Sequence, residues 1–322
     1  MQYLARRLAH GLLVLVGISI LSFVFMGLAP GDFLSDVTLD PRLSRETVAA
    51  LRTRYGLDQP LPRKYLDWVQ SVSRGELGFS LAHNRPVASL LWPRAQNTLM
   101  LTVPATALAW LLAVPLGAWS ASGRGRWGDR LCAVATTALL VVPEPLLVVA
   151  LLLFAVRTGA FPTGGRMSDG FADMARWQQA KDLTAHLFLP VTALVLVNLP
   201  ILVRHVRASV LDVLSTPFIL AARARGVPPS RLLFRDALKA AANPLISLFG
   251  LSIAALLSTS LVVELVMGWP GLGPLLLDAI AARDLHVVIG AVLCSTMLLL
   301  AGNLLADGLL YLADPRVRTD DV

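Results

Sequence analysis

The sequence predicts an all-α integral membrane protein with six transmembrane helices. Hydrophobic residues make up 56% of the 322 positions and charged residues only 15%, and the mean hydropathy is +0.67. A chain this apolar cannot leave its hydrophobic surface in water. A helix needs about 20 mostly apolar residues to cross about 30 Å of hydrocarbon. Six runs are long enough, and they occupy approximately residues 8–29, 97–120, 131–156, 187–206, 244–267 and 287–313.

The first run is interpreted as a retained span. Arg6 and Arg7 precede it as they would in a secretory signal, but no A-x-A-like cleavage site follows, and "LAPGD" ends the run. The next segment predicts short helices, one capped by Ser44 and a second with Tyr65 and Trp68 at helical spacing. The predicted organisation is a first helix with an extracytoplasmic helical segment, a core of five spans and a cytoplasmic tail, over residues 1–95, 96–313 and 314–322.

The placement of lysine and arginine predicts that both termini are cytoplasmic. With that orientation the inside segments, counted with Arg204 at the edge of the fourth span, hold 14 basic and six acidic residues. The outside segments hold 14 basic and 12 acidic residues, and nine of those basic residues lie in one long segment where the rule is weak. A basic cytoplasmic face meets anionic lipid headgroups or an acidic partner. Nucleic acid is therefore not needed to explain the high isoelectric point.

The sequence contains no motif for covalent or metal chemistry. Both cysteines, Cys132 and Cys294, fall in predicted spans, so no disulfide framework is expected. The five histidines are scattered, and no HExxH pattern suggests zinc. No G-x-x-x-x-G-K-[ST] phosphate loop appears, so we expect any ATP to be hydrolysed by a partner. We expect no catalytic residue, no metal site and no cofactor in this chain, and an intramembrane hydrolase is disfavoured.

A basic segment of about 37 residues, 207–243, separates the fourth and fifth spans and is far longer than a turn requires. Pro217 can begin a helix that Gly226 ends, and Pro228 with Pro229 can begin a second helix through "SRLLFRDALKAAANP". Small residues would allow close approach of another backbone, and these are Ala221, Ala222 and Ala224. Large apolar residues would supply contact, and these are Leu220, Val227, Leu232, Leu233 and Phe234. Docking on lipid and docking on protein both fit this pattern.

Four polar residues within the spans need a reason, since a charge at a helix centre costs about 2.5–3.5 kcal/mol on insertion scales. Asn303 and Asp307 share one helix face, which favours a packing or capping role. Glu264 lies near the outer end of the fifth span, where hydration lowers the cost; it is interpreted as an interfacial anchor or an outer gate contact. Glu144 stands between two prolines near mid-span, either hydrogen-bonded inside the bundle or lining a pathway.

Several stretches in fixed order resemble the permeases of ATP-binding-cassette (ABC) importers, specifically the dipeptide, oligopeptide and nickel permease family. The matching stretches are "YLARRL", "LAPGD", "YGLDQPLPRKYLDWV", "GELGFS", "AARARGVPPSRLLFRDALKAAANPLIS", "GWPGLGPLLLDAIAARD" and "NLLADGLLYLADPRVR". Ala221, Ala222 and Gly226 occupy the family's short loop motif, which here has alanine where other importer families carry an initial glutamate. The carboxylate of Glu144 is not a feature taken from the resemblance.

The resemblance implies a type I importer permease fold in the bacterial inner membrane. Segment 207–243 would then form coupling helices that dock on an ATPase through Leu220, Ala221, Ala222, Ala224, Gly226 and Val227. It also implies a second homologous permease subunit, two ABC ATPase subunits that hold ATP and magnesium, and an extracytoplasmic solute-binding protein. Peptides are the expected substrates, with nickel or another small solute as the alternative. A secondary transporter is less expected, because paired broken helices in two halves are not evident.

Overall fold

The structure is a computed structural model that describes residues 2–28, 53 and 58–313. The predicted Ser44 helix and the tail 314–322 lie outside these residues. The main elements of the described residues are ten helices and a short antiparallel hairpin before the third helix. In chain order they are α1 Gln2–Leu28, α2 Leu61–Ser73, β1 Phe79–Ser80, β2 Arg85–Pro86, α3 Val87–Ser122, α4 Trp127–Val141, α5 Glu144–Thr158, α6 Arg176–Leu214, α7 Pro217–Ala224, α8 Ala242–Val266, α9 Leu272–Ala281 and α10 Leu285–Ala313.

The described residues contain five helices that are long and apolar enough to cross a membrane: α1, α3, α6, α8 and α10. The all-α membrane fold is thus confirmed. Two of these helices, α3 with 36 residues and α6 with 39, are much longer than the predicted runs. At 1.5 Å per residue, α6 is about 58 Å long, so its ends extend beyond the hydrocarbon. Hydropathy detects only the apolar middle of such a helix, which explains the short predictions.

The third predicted span is not one continuous helix. It consists of α4 and α5, which meet at Val142 and Pro143 with a bend of 96°. Pro143 has no N–H to donate and disfavours helical geometry at the residue before it, so the helix ends there and a new one begins at Glu144. The described residues therefore contain five unbroken candidate spans, and six when this bent pair is counted as one.

The described chain divides into two compact units, and the first comprises the residues up to Asn97 together with Pro270–Leu300. In this unit the rings of Phe23, Tyr65 and Trp68 pack together, with centroids 5.2 Å and 5.4 Å from the ring of Phe23. Helix α2 has the helical spacing expected for these aromatic residues. Asp284, only 2% exposed, accepts hydrogen bonds from the Ser80 hydroxyl at 2.7 Å and the Ala82 amide at 3.1 Å, which fastens the hairpin.

The second unit comprises Thr98–Trp269 and the residues from Ala301 onward. Its core is built around α6, whose Leu194, Leu202 and Val206 are at most 2% exposed. Gly117 of α3 is needed at one helix crossing, because a Cβ there would lie 2.7 Å from the Val206 Cβ. The grouping differs from the sequence-based division near residue 95 in placing 270–300 with the N-terminal segment.

The segment between α5 and α6 is held near its middle by two sets of hydrogen bonds. The Gly165 amide donates to the Met267 carbonyl at 3.3 Å. The Ser168 hydroxyl and amide both donate to the carboxylate of Asp182, at 2.6 Å and 3.0 Å. Asp182 precedes the predicted span 187–206, and the Ser168 hydrogen bond lowers the pKa of this carboxyl group. Charge-assisted hydrogen bonds of this kind order a glycine- and proline-rich loop.

Candidate functional site

The segment 207–243 folds largely as its prolines and glycine predict. Helix α7 begins at Pro217 and ends at Ala224, and Gly226, two residues later, has left-handed geometry with a φ of +80°. The Val227 amide donates to the Ala222 carbonyl at 3.2 Å and the Gly226 amide to the Arg223 carbonyl at 3.0 Å. These two bonds form the Schellman motif that closes a helix C-terminus. The turn between the two loop helices is therefore a defined shape.

The second loop helix follows as three consecutive stretches, Pro229–Arg231, Leu232–Ala237 and Leu238–Ala240, and the middle stretch is a π-helix. The sequence did not predict this wide turn. It places Leu232, Leu233 and Ala237 at 2%, 6% and 0% exposure, and Leu233 and Ala237 belong to the core of the second unit. Leu232 and Leu233 were expected to supply apolar contact to a docking partner, and this expectation is wrong because both side chains are already buried within the chain.

The outward surface of the loop is made by other residues. Ala221, Ala224 and Gly226 are exposed, whereas Ala222 and Val227 are half-buried. Leu220 and Phe234 are 49% and 58% exposed. Phe218, which the sequence reasoning missed, is 52% exposed. Ile219, between Phe218 and Leu220, is fully buried, so α7 is anchored through this side chain and presents most of the others outward. This surface combines small, large apolar and basic residues: Phe218, Leu220, Ala221, Arg223, Ala224, Arg225, Gly226 and Phe234. We call it the loop surface.

A charge network fixes the start of this segment to the turn between α3 and α4. Arg207 donates through Nε to Asp129 Oδ1 at 2.6 Å and through Nη2 to Oδ2 at 2.8 Å. The Ser120 hydroxyl and the Gly125 amide also donate to this carboxylate, at 2.6 Å and 2.9 Å. Asp129 is only 6% exposed. Four hydrogen bonds to one buried carboxylate make a rigid joint, and its two charged members are 78 residues apart, so the sequence offered no signal for it.

Glu144 lies at the corner between α4 and α5. Its side chain is half-buried, and one carboxylate oxygen is inaccessible to solvent and accepts no hydrogen bond from the residues that the structure describes. The bend also removes helical partners from backbone carbonyls near Val141, which in a membrane need protein or water instead. A carboxylate and an interrupted backbone therefore lie together near the middle of the predicted third span.

Glu264 is packed inside the second unit. It is 1% exposed, and the Thr98 hydroxyl donates to its Oε1 at 2.6 Å. The expected hydrated position at an interface is therefore wrong: a protein hydroxyl replaces water. The Glu264 carbonyl also accepts the Trp269 amide at 2.8 Å, which closes the turn leading to "WPGLG". A contact with a transported solute stays a prediction for this residue.

Asn303 and Asp307 lie on α10, half-buried, near its crossing with α8. At Gly250 of α8 an added Cβ would lie 2.9 Å from the Ala306 Cβ and 3.5 Å from Asn303 Oδ1. Such close approach of two backbones accords with the expected packing role for Asn303. In the described ranges 2–28, 53 and 58–313, no group of three or more metal-ligating side chains is suitable for a metal ion.

Comparison with family models decides the relationship. The model described as "Binding-protein-dependent transport system inner membrane component" matches residues 113–319, and the model of the corresponding N-terminal part matches residues 1–102. The chain belongs to this family. In this inner-membrane component the loop surface, the Asp129–Arg207 joint and the corner at Glu144 all lie within the region of the first match.

Curated relatives match over almost the full length. The chain is 34% identical to the oligopeptide transport system permease protein AppB of Bacillus subtilis over 319 residues, covering 98% of each. It is 33% identical to the dipeptide transport system permease protein DppB of Escherichia coli K12, covering 99% of each. The glutathione transport system permease protein GsiC of Escherichia coli O6:H1 is 32% identical over 321 residues, again covering 99% of each.

A solved structure shares the fold. A chain of the MetNI methionine ABC transporter, solved in inward-facing conformations, aligns with 70% of this chain and over 97% of its own length. The TM-score is 0.57 and the sequence identity 18%. The predicted type I importer permease fold is thus confirmed, and this family member is a multi-pass membrane protein.

Proposed function

We propose that this chain is a permease subunit of an ABC importer for di- and oligopeptides, forming half of the translocation pathway. Relatives named for oligopeptide, dipeptide and glutathione transport, each matched over nearly its whole length, support peptides as the substrate class. They do not favour the alternatives of a nickel or small-solute importer or a secondary transporter. No residue of this chain is assigned a catalytic role.

The observation that carries the coupling role is the loop surface. Its small and apolar residues face outward on a helix that is anchored by Ile219 and closed by the Gly226 turn. A folded, outward-facing surface of this kind suits a groove on a protein better than a fluid lipid surface. We assign it as the docking site for an ABC ATPase subunit, with ATP and magnesium held by the ATPase.

The remaining parts of the proposed assembly follow from the family description and the resemblance. A second, homologous permease subunit would complete the pathway as a heterodimer. Two ATPase subunits would bind on the cytoplasmic side, and a solute-binding protein would deliver peptide from outside. Alternating access would be a rigid-body change that ligand and nucleotide each bias toward one state.

The substrate class is tested by uptake in a strain that lacks this gene and in the same strain carrying it on a plasmid. We expect uptake of a radiolabelled dipeptide to be lost and restored, while nickel uptake is unchanged. Loss of nickel uptake with normal peptide uptake would assign the chain to the alternative importer class.

The first prediction concerns orientation. We propose cytoplasmic termini and a cytoplasmic segment 207–243, from the distribution of basic residues. In a variant without Cys132 and Cys294, cysteine at Asp169 is expected to react with an impermeant thiol reagent added to intact cells, and cysteine at Ser230 only after lysis. Both positions are exposed, so burial does not explain a negative result. Labelling of Ser230→Cys in intact cells would show that the proposed orientation is wrong.

The second prediction concerns Glu144, which we propose as a transient counter-charge for the ammonium group of a passing peptide. Its orphaned oxygen and the interrupted backbone at the corner both call for water or a polar ligand. Glu144→Gln keeps shape and hydrogen-bonding capacity but removes the charge. We expect normal insertion and ATPase stimulation, with uptake of free peptides falling about tenfold more than uptake of N-blocked peptides, a difference of about 1.4 kcal/mol.

The matched control is Glu76→Gln, the same substitution at an exposed glutamate outside the predicted spans. Any loss of uptake in that variant should be the same for free and blocked peptides. Equal uptake of both substrates by Glu144→Gln, at parental expression, would remove the counter-charge role.

A further inference from the structure

A cavity of about 390 Å³ lies inside the second unit, between α4 and α6. It is lined by Ser120, Cys132, Thr136, Thr137, Arg204 and Arg207, which carry hydroxyl, thiol and guanidinium groups, and by the apolar residues Ala133, Val203 and Ala208. Arg204 and Arg207 lie at the end of the predicted span 187–206 that adjoins the segment 207–243. The cavity is therefore at the membrane boundary next to that segment, and the guanidinium and hydroxyl groups in its lining distinguish it from a packing defect between purely apolar helices.

The charge in the cavity is positive and is not neutralised within the described chain. Arg207 is already engaged with Asp129. Arg204 is exposed and makes no hydrogen bond or ion pair with the residues that the structure describes. None of the residues lining the cavity is acidic. A guanidinium group with free donors binds a phosphate group through a pair of parallel hydrogen bonds, which an ammonium group cannot do.

Of the two threonines that line the cavity, only Thr137 offers its hydroxyl as a second hydrogen-bond donor beside Arg204. The Thr136 hydroxyl donates back to the Cys132 carbonyl at 2.8 Å and is buried. The Thr137 hydroxyl is exposed and has no partner among the described residues. An anion held by Arg204 across the cavity could therefore accept a hydrogen bond from Thr137 on the facing helix.

The surface that continues from the cavity is apolar. Val134 and Val141 lie three residues before and four residues after Thr137, so they share its face of α4, and they are 67% and 74% exposed. An inorganic anion makes no favourable contact with such an apolar surface, whereas the acyl chains of a lipid do. A zwitterionic headgroup would bring an ammonium group for which the cavity has no acidic partner.

We infer that this cavity binds the headgroup phosphate of an anionic phospholipid, with Arg204 and Thr137 as its ligands and the acyl chains along Val141. Basic pockets between transmembrane helices bind anionic headgroups in this way. The bound lipid would lie beside the Asp129–Arg207 joint and so beside the start of the docking segment.

Cys132 lines the cavity and gives a direct reporter of its occupancy. The complete transporter, purified through this chain with Cys294→Ala, is placed in nanodiscs of phosphatidylcholine alone or of phosphatidylcholine mixed with phosphatidylglycerol. Maleimide labelling of Cys132 is followed by mass spectrometry of this subunit. We expect phosphatidylglycerol to slow labelling about tenfold, the effect of one charge-assisted phosphate contact, and inorganic phosphate in phosphatidylcholine nanodiscs to have no effect.

Arg204→Gln should restore fast labelling in the phosphatidylglycerol nanodiscs. The matched control is Arg130→Gln, an exposed arginine of α4 that does not line the cavity, and this variant should keep the protection. Equal labelling in the two lipid mixtures would overturn the inference. Protection by inorganic phosphate alone would overturn it in favour of a soluble anion, and a cysteine that is unreactive in every lipid would overturn it in favour of another subunit covering the cavity.

Discussion

Replacing Ala221 by glutamate is expected to abolish transport while leaving the protein in the membrane. Ala221 is exposed on α7 and belongs to the loop surface, so a longer side chain does not disturb the fold of this chain. It would place an unpaired charge in a close contact between helix and groove, which costs about 3 kcal/mol or more. Association with the ATPase should therefore weaken about a hundredfold or more. Co-purification of ATPase subunits through a tag on this chain measures the effect.

The control is Ala240→Glu, the same substitution at an exposed alanine at the far end of the segment, outside the loop surface. This variant should retain the ATPase and transport normally. If Ala221→Glu retained both, the loop surface would have to be assigned to the lipid surface, the other interpretation that its basic and apolar composition allows.

The Asp129–Arg207 joint is the place where a single charge should matter most for stability. Asp129→Asn leaves the guanidinium group of Arg207 facing a neutral amide that cannot accept two strong hydrogen bonds. We expect the free energy of unfolding of the detergent-solubilised subunit to fall by about 3 kcal/mol, as for other charge pairs broken on one side. ATPase stimulation by substrate should fall as well, because the joint holds the start of the docking segment.

A double-mutant cycle separates the pair from its surroundings. Arg207→Gln combined with Asp129→Asn should cost less than the sum of the two single changes, since the second removes a group that the first has already left without its partner. The control is Asp212→Asn on α6, the helix that carries Arg207. Asp212 is exposed, so this substitution should lower the free energy of unfolding by no more than about 0.5 kcal/mol. Strict additivity of the single changes would show that the two side chains do not stabilise each other.

Sequence reasoning worked where one local cause decides the structure. Pro217 and Gly226 set the start and end of α7, because proline suits a first helical turn and glycine adopts the left-handed geometry without strain. The spans could be predicted as well, because a transmembrane helix requires only a local run of apolar residues of sufficient length. Pro143 was recognised as a disturbance near mid-span, but a proline does not fix a bend angle, and the 96° corner depends on what packs around it.

Long-range features could not be predicted from one sequence. The Asp129–Arg207 joint connects two helices, and nothing in either segment names its partner. The sequence also did not predict that Leu232 is buried and Phe234 exposed. Assigning helix faces by a period of 3.6 residues fails across a π-helical turn. Both failures have one origin: the tertiary arrangement, and not local propensity, decides these positions.

Because of the π-helical turn at Leu232–Ala237, the directions of the side chains on either side of it depend on the number of residues in the turn. Each residue of an α-helix advances the side-chain direction by about 100°, so the additional residue in a wide turn rotates everything before it relative to everything after it. Removing any single residue of this turn would leave composition and hydropathy almost unchanged. It would nevertheless turn Pro229–Arg231 by about a quarter of a revolution or more against Leu238–Ala240. Chimaeras that exchange this segment with a relative must therefore preserve its residue count before its residue identities.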